Sequence, residues 1–316
     1  MQLDKLNTDG LKALQSFSSQ TAEIVQDYIK DIGKSTLSDK DKIISALNLI
    51  KEKEESFLKL HQSEYKSTTS DTFEHSFAVA KIMKEYAKQK GMSEEMQDVY
   101  YIIGIVHDIG KIAIDNNILL KNGRLTPEEK EKMDKHAHIG KQIIEELNLS
   151  EKVNKFCQIA ADAHHLSYGN DNNILKNVLS NAGLSTNIED ALQMVYTLSV
   201  VDKMHALMSD RCYKDGLSYE VTGSILNDCY ERNEFHHETF VDFMDNVVPK
   251  MGLVKALESK KQFAPAAEKY KEIIGKISKK ITQDYINNSK REAFTPREMQ
   301  NNATPVLNPN TRAMQN

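Results

Sequence analysis

Residues 101–111 read Tyr-Ile-Ile-Gly-Ile-Val-His-Asp-Ile-Gly-Lys, an apolar run that ends abruptly in ionisable groups. Such a run, extending the periodic positions before it, is typical of a buried helix. His107 and Asp108 are adjacent at its end, so on a helix they point about 100° apart and can address neighbouring metal ions. Lys111 lies one turn after His107 and projects from the same face. The sequence therefore predicts a helical fold with a reactive helix end.

The rest of the chain is poor in residues that interrupt helices. It has 13 glycines and 6 prolines in 316 residues, and between residues 11 and 248 the only proline is Pro127. Thr126, Pro127 and Glu129 offer an N-cap, a first-turn proline and the third-position Glu of a capping box. The predicted fold class is therefore all-α, with a helix that starts at Pro127 and reaches His136, followed by another over about 139–147.

Four segments are expected along the chain. They are an N-terminal helical segment (1–66), a compact helical domain (67–248), C-terminal helices (249–288) and a disordered tail (289–316). The tail holds three of the six prolines, which favours disorder. The stretch 166–187 is rich in Asn, Gly and Ser and is predicted to be a long loop beside reactive residues.

Composition argues against several classes of protein. A formal net charge of −5 disfavours a surface that binds DNA. No apolar run approaches the roughly 18 residues of a membrane-spanning helix, and the first residues lack a signal-peptide pattern. Cys157, Cys212 and Cys229 form no CxxC pair, which predicts free thiols in a reducing compartment. We therefore expect a cytoplasmic protein with no membrane contact.

Carboxylates and histidines recur in a suggestive order in the central domain. Asp71 and His75 are spaced to share one helix face, and His164-His165 end another predicted helix. Asp202 lies within an apolar run, where an unpaired carboxylate is costly and a metal ion would satisfy it. Each feature alone has a structural alternative, such as a surface doublet or a hydrogen-bonded Asp. Their order favours a metal centre, and these ligand types suit Mn, Fe or Zn.

Taken together, these motifs resemble the HD-domain phosphohydrolases, and within them the HD-GYP branch, from about Asp71 to Met244. The matching segments are His75–Ala80, His107–Lys111, 112–129, Met133–Gly140, Val201–Lys214 and Phe235–Met244. The main departure follows His165: where the branch has an Asp-Gly-x-Gly-Tyr-Pro signature that helps bind cyclic di-GMP, residues 166–173 read Leu-Ser-Tyr-Gly-Asn-Asp-Asn-Asn. This departure leaves the substrate open.

The resemblance implies roles for individual residues. The implied metal ligands are His75, His107, Asp108, His136, His164, His165 and Asp202, with Asp71 in the place of a glutamate that supports a third metal in some members. Lys111 and Asp108 would be the catalytic groups, and Arg211 and Lys214 would hold substrate phosphates. His205 replaces a common second Asp of the family, where it could support a ligand. The histidines expected at the surface are His138, His236 and His237.

The expected function is that of a metal-dependent phosphodiesterase. It would hydrolyse a cyclic dinucleotide such as cyclic di-GMP through two or three divalent ions, Fe or Mn before Zn. Two alternatives stay open: a phosphohydrolase for another nucleotide or phosphate ester, and a non-catalytic nucleotide-binding scaffold. Residues 1–66 could contact a protein partner or form a homodimer.

Overall fold

A computed structural model describes residues 19–166, 168–169 and 188–250. The α-helices, in chain order, are α1 (Ser19–Lys34), α2 (Asp39–Leu60), α3 (Asp71–Gln89), α4 (Glu94–Val106), α5 (Asn116–Leu119), α6 (Pro127–Glu146), α7 (Glu151–Ala163), α8 (Ile188–Met208), α9 (Tyr219–Glu231) and α10 (His237–Asp242). A 3₁₀ turn over Ile109–Ala113 follows α4. A π-helical turn (Phe243–Val247) and a 3₁₀ turn (Val248–Lys250) follow α10.

The predicted all-α class is confirmed, since the described residues form helices and contain no strand. Within these residues, no helix is long and apolar enough to cross a membrane. Several predictions lie outside the described residues. They are the first 18 residues of the N-terminal helical segment, most of the loop 166–187, nearly all of the helices over 249–288, and the tail 289–316.

Helix α6 begins where the sequence predicts. The Thr126 side chain accepts from the Glu129 backbone N–H, and the Glu129 side chain accepts from the Thr126 N–H, with Pro127 in the first turn. The predicted break after His136 was wrong, because α6 continues to Glu146. Gly140 stays helical in a place where the helix packs closely on the 3₁₀ turn.

Removing this cap gives a local test of the fold. Thr126→Ala loses the acceptor for one backbone donor at an exposed helix start, which should lower the free energy of unfolding by about 1 kcal/mol. Urea unfolding measures this effect. Thr126→Ser keeps the hydroxyl and should stay close to wild type. Equal losses in both variants would contradict a capping role.

The described part of the segment 1–66 packs on the central domain. Ile29 of α1 and Leu47 of α2 are buried in one hydrophobic cluster with Ile105 of α4 and Ile144 of α6. The buried ammonium of Lys42 donates to Gly33 O at 3.0 Å and to Asn148 O at 3.1 Å, joining the ends of α1 and α6. Helices α1 and α2 are thus part of the core, and a partner bound through residues 1–66 stays a prediction.

A close crossing of α3 and α4 positions the reactive helix end. A Cβ atom on Gly104 would lie 2.5 Å from Ala80 Cα, so the two backbones approach more closely than any other residue at 104 would allow. One turn beyond this crossing, the rings of His75 and His107 lie 5.3 Å apart. The crossing therefore brings the first histidine of α3 to the end of α4.

Candidate metal centre

Asp108 lies at the middle of the predicted ligand set. It lies two residues after Val106, the last residue of α4, and its side chain is almost completely buried. Its Oδ1 lies 3.3 Å from His136 Nε2 and 3.7 Å from His164 Nε2. Its Oδ2 lies 3.3 Å from His107 Nε2, 3.7 Å from His75 Nε2 and 2.6 Å from Lys111 Nζ. The two oxygens of one carboxylate thus face two sets of imidazoles.

These contacts define two groups with the spacing of metal ligands. The first metal group contains Asp108, His136, His164 and His165, and the second contains His75, His107 and Asp108. Within each group, one ligand atom per residue lies within 4.8 Å of all the others. Because Asp108 belongs to both groups, its carboxylate is placed to bridge two metal ions.

Asp202 of α8 adjoins the second metal group. Its Oδ1 lies 2.8 Å from His75 Nε2 and 3.6 Å from His107 Nε2. The carboxylate in the apolar run is therefore directed at two imidazoles. The structure brings together seven of the eight residues predicted as ligands, and they come from α3, α4, α6, α7 and α8 or the turns at their ends.

Backbone carbonyls orient three of the imidazoles. Nδ1 lies 2.8 Å from Gly104 O in His107, 2.6 Å from Met133 O in His136, and 2.9 Å from Ala161 O in His164. A carbonyl can only accept, so we assign the ring proton to Nδ1 in each case. Each Nε2 then directs a lone pair into the centre, as in histidines that bind metals.

The converging lone pairs fit a bound cation. His136 Nε2 lies 3.3 Å from His164 Nε2 and 3.1 Å from His165 Nε2. Because the ring protons of neutral His136 and His164 are on Nδ1, neither of their Nε2 atoms can donate a hydrogen bond to the other. His107 Nε2 is buried and makes no hydrogen bond of good geometry. Buried acceptors that face each other repel unless a positive charge lies between them. This donor set, with five imidazole nitrogens and two carboxylates, suits Fe, Mn or Zn.

The electrostatics of the centre favour ionised carboxylates. Burial acts to raise the pKa of Asp108, but Lys111 and His107 outweigh it and hold this pKa well below its usual value. Burial and then the surrounding imidazoles lower the pKa of His164 well below its usual range. For His107, burial acts to lower the pKa, whereas Asp108 and Asp202 raise it to about 10. The carboxylates thus stabilise a positive charge on or beside His107 Nε2, which is a proton in the cationic ring and would be a metal ion bound to the lone pair of the neutral ring.

The structure does not bring Asp71 into either metal group. Both of its carboxylate oxygens lie 3.0 Å from the backbone N–H of Cys212 and accept from it. Arg211 and Lys214 form a tight turn around that residue, with Arg211 N donating to Lys214 O at 2.7 Å. Asp71 therefore anchors the turn that carries the two predicted phosphate-binding side chains. A third metal ion stays a prediction.

The other histidines have mixed outcomes. His205 Nδ1 lies 2.9 Å from His75 Nδ1, so its half-buried ring supports a predicted ligand from behind. His138 and His237 are exposed, as predicted. The surface prediction was wrong for His236. Its ring stacks on Tyr196 at 4.5 Å and also contacts Tyr168, at the start of the altered loop.

Sequence reasoning missed two charged residues of α2 at the edge of the centre. Lys53 contacts backbone carbonyls of the 3₁₀ turn, and Glu54 contacts the start of α3. Both are buried. Lys and Glu are common on exposed helix faces, so residue type at these positions gave no signal.

The sequence is similar to the HD domain and to several cyclic dinucleotide phosphodiesterases. The sequence model of the HD domain matches residues 72–207. The chain is 30% identical over 203 residues to the cyclic di-GMP phosphodiesterase response regulator RpfG of Xanthomonas campestris, covering 62% of this chain and 49% of that protein. It is 41% identical over 86 residues to a cyclic di-GMP phosphodiesterase of Thermotoga maritima, covering 27% of this chain and 23% of that protein.

A third relative differs in the substrate that its name gives. It is the 3'3'-cGAMP-specific phosphodiesterase 1 of Vibrio cholerae, 41% identical over 66 residues, which are 21% of this chain and 15% of that protein. The chain spans about half or less of the length of these curated relatives. All three names describe hydrolysis of a cyclic dinucleotide.

Proposed function

We propose that this chain is a metal-dependent phosphodiesterase for a cyclic dinucleotide such as cyclic di-GMP, because the HD-domain model matches residues 72–207. The observation that carries the proposal is the Asp108 carboxylate shared between two histidine groups. Two ions a few Å apart, bridged in this way, are a recurring arrangement for hydrolysis of phosphate esters. We propose Fe or Mn as the ions, with Zn next.

The side chains of the centre have separate tasks in this reaction. Bound divalent ions would supply Lewis acidity toward the phosphoryl oxygens and make water a better nucleophile. Asp108 would contribute a ligand to each of the two metal groups. Lys111 Nζ lies 2.6 Å from Asp108 Oδ2 with 18% of its side chain exposed, so it can reach a phosphoryl oxygen beside the bridge. There it would stabilise the charge that develops in the transition state.

The turn of Arg211 and Lys214 would bind a second phosphate. Asp71, the first residue of α3, binds this turn one helical turn before His75 of the second metal group. Burial, then His75 and then the charge of Arg211 lower the pKa of His205 to about 3, so Arg211 lies near the ring that contacts His75. A guanidinium at this place suits the bidentate contact that phosphate favours. A cyclic dinucleotide has two phosphates, and this arrangement would hold one while the other reacts.

The choice among cyclic dinucleotides depends on the altered loop. Tyr168 and Gly169, at the start of this loop, donate backbone hydrogen bonds to Glu234 O and Asn233 O. The relatives' names include both cyclic di-GMP and 3'3'-cGAMP. A preference for a cyclic dinucleotide other than cyclic di-GMP is therefore the second candidate function.

One assay tests both candidates. The purified chain is loaded with Mn²⁺ or, without oxygen, Fe²⁺, and its metal content is measured. It is then incubated with cyclic di-GMP, 3'3'-cGAMP, cyclic di-AMP and a generic aryl phosphodiester, and products are separated by chromatography. We expect linear dinucleotides or mononucleotides from at least one cyclic substrate. Full metal content without hydrolysis of any of the four compounds would exclude the proposed activity.

The role of Lys111 has its own test. Lys111→Met should lower kcat by about 10²-fold, the usual cost of one transition-state donor, while metal content stays near that of wild type. Lys121→Met is a matched control, because Lys121 pairs with Glu129 outside the centre. Steady-state kinetics and metal analysis check both variants. A Lys111→Met enzyme with wild-type kcat would show that Lys111 only balances the charge of Asp108.

A further inference from the structure

Lys53 of α2 fixes the segment that follows Asp108. Its side chain is 1% exposed. Its ammonium donates to Lys111 O at 3.3 Å and Ile112 O at 3.1 Å, and also to the carbonyl of Ile114. These carbonyls belong to the 3₁₀ turn and its last capping residue. One buried cation therefore determines the path of the backbone that carries Lys111.

Glu54, the next residue of α2, contacts the start of α3. Its Oε2 accepts from Ser70 Oγ at 2.7 Å and from the Thr72 N–H at 3.2 Å. Ser70 is in turn the N-cap of α3 and accepts from Phe73 N. The carboxylate thus holds the first turn of α3, and His75 lies in the turn that follows.

This pair is costly for the fold alone. Both side chains are buried completely or nearly so, and burial lowers the pKa of Lys53 to about 8 and raises the pKa of Glu54. Apolar residues of similar volume would often serve stability equally well at such places. Apolar residues, however, could not form the hydrogen bonds that orient the carbonyls of the 3₁₀ turn and the N–H groups at the start of α3.

We propose that Lys53 and Glu54 are positioning residues that align two elements of the metal centre from behind. Lys53 sets the 3₁₀ turn so that Lys111 meets Asp108, and Glu54 sets the first turn of α3 so that His75 enters the second metal group. The consequence for catalysis rests on the proposed function. The consequence for metal binding does not.

The same helix supplies a matched control. Lys42 is also a buried lysine of α2 (6% exposed), and its ammonium also donates to backbone carbonyls, those of Gly33 and Asn148. These carbonyls lie at the ends of α1 and α6 and belong to neither metal group. Lys42→Met and Lys53→Met therefore make the same chemical change, and only the second removes contacts to the 3₁₀ turn.

The experiment compares four variants of the full chain: Lys53→Met, Lys42→Met, Glu54→Leu and Glu54→Gln. Mn²⁺ binding is measured by calorimetry, unfolding by urea, and kcat and KM with the best substrate. We expect both lysine variants to lose comparable stability, but only Lys53→Met to weaken Mn²⁺ binding and to lower kcat, the latter by about 10-fold or more. Glu54→Leu should weaken the affinity of the second metal group for Mn²⁺ by about 10- to 100-fold. Glu54→Gln keeps an acceptor for both donors and should restore binding to within about 3-fold of wild type.

Two results would overturn the proposal. One is equal kcat and equal Mn²⁺ affinity in Lys53→Met and Lys42→Met. The other is binding of two Mn²⁺ ions by Glu54→Leu with the affinities of the wild type. If Lys53→Met does not fold, Lys53→Gln, which retains one donor, replaces it with the same criteria. If the wild type hydrolyses no phosphodiester, the proposed function fails, and the Mn²⁺ titrations still decide the positioning role.

Discussion

Asp108→Asn is expected to abolish metal binding at both metal groups and to lower kcat by about 10³-fold or more. The carboxylate contacts imidazoles of both groups, and it is the residue that the groups share. An amide is a weak metal ligand and cannot bridge two ions through charged oxygens. Loss of several kcal/mol of Lewis-acid stabilisation corresponds to a rate loss of this size. Metal analysis of the purified variant and single-turnover kinetics measure the two effects.

The matched control is Asp98→Asn. Asp98 lies on an exposed face of α4, the helix that precedes Asp108, and pairs with Lys84 of α3, so the variant makes the same chemical change outside the centre. It should retain full metal content and activity. Far-UV circular dichroism checks that Asp108→Asn is folded. An Asp108→Asn protein that keeps two ions per chain would contradict a bridging role and would assign the ions to the histidines and Asp202 alone.

Gly110→Ala should have the largest effect on stability. A Cβ atom at this position would lie 1.9 Å from His136 O and 2.6 Å from Gly140 N, and both are backbone atoms of α6 that cannot rotate away. The 3₁₀ turn and α6 would have to separate, which should cost about 3 kcal/mol. The same separation would draw His136 away from Asp108, so weaker metal binding should accompany the loss of stability.

Gly140→Ala tests the same contact from the other side. Its Cβ atom would lie 3.2 Å from Ala161 Cβ and 3.3 Å from Gly110 N, which requires a shift of only a few tenths of an ångström. Alanine also favours the helix over glycine by up to about 1 kcal/mol, which offsets this strain. We expect a change below about 1 kcal/mol and normal metal content. Equal losses in both variants would show that the crossing tolerates a side chain on either element.

Much of the fold follows from local sequence. The capping box of Thr126 and Glu129 begins α6 where it was predicted, because such a box needs only residues within one turn. The continuation of α6 through Gly140 was missed for the opposite reason. A glycine weakens an isolated helix, and here it is retained because the 3₁₀ turn, distant in sequence, packs against it.

The sequence by itself determined the chemistry of the centre. Imidazoles and carboxylates in that order, around His107-Asp108, predict a metal site whatever the exact helix ends, because few other arrangements satisfy so many buried ionisable groups. Only the tertiary structure decided the direction of each side chain. Asp71 turns to Cys212 N instead of a metal group, and Lys53 and Glu54 turn inward to hold the centre. Those directions depend on hydrogen-bond partners far along the chain, which no local pattern encodes.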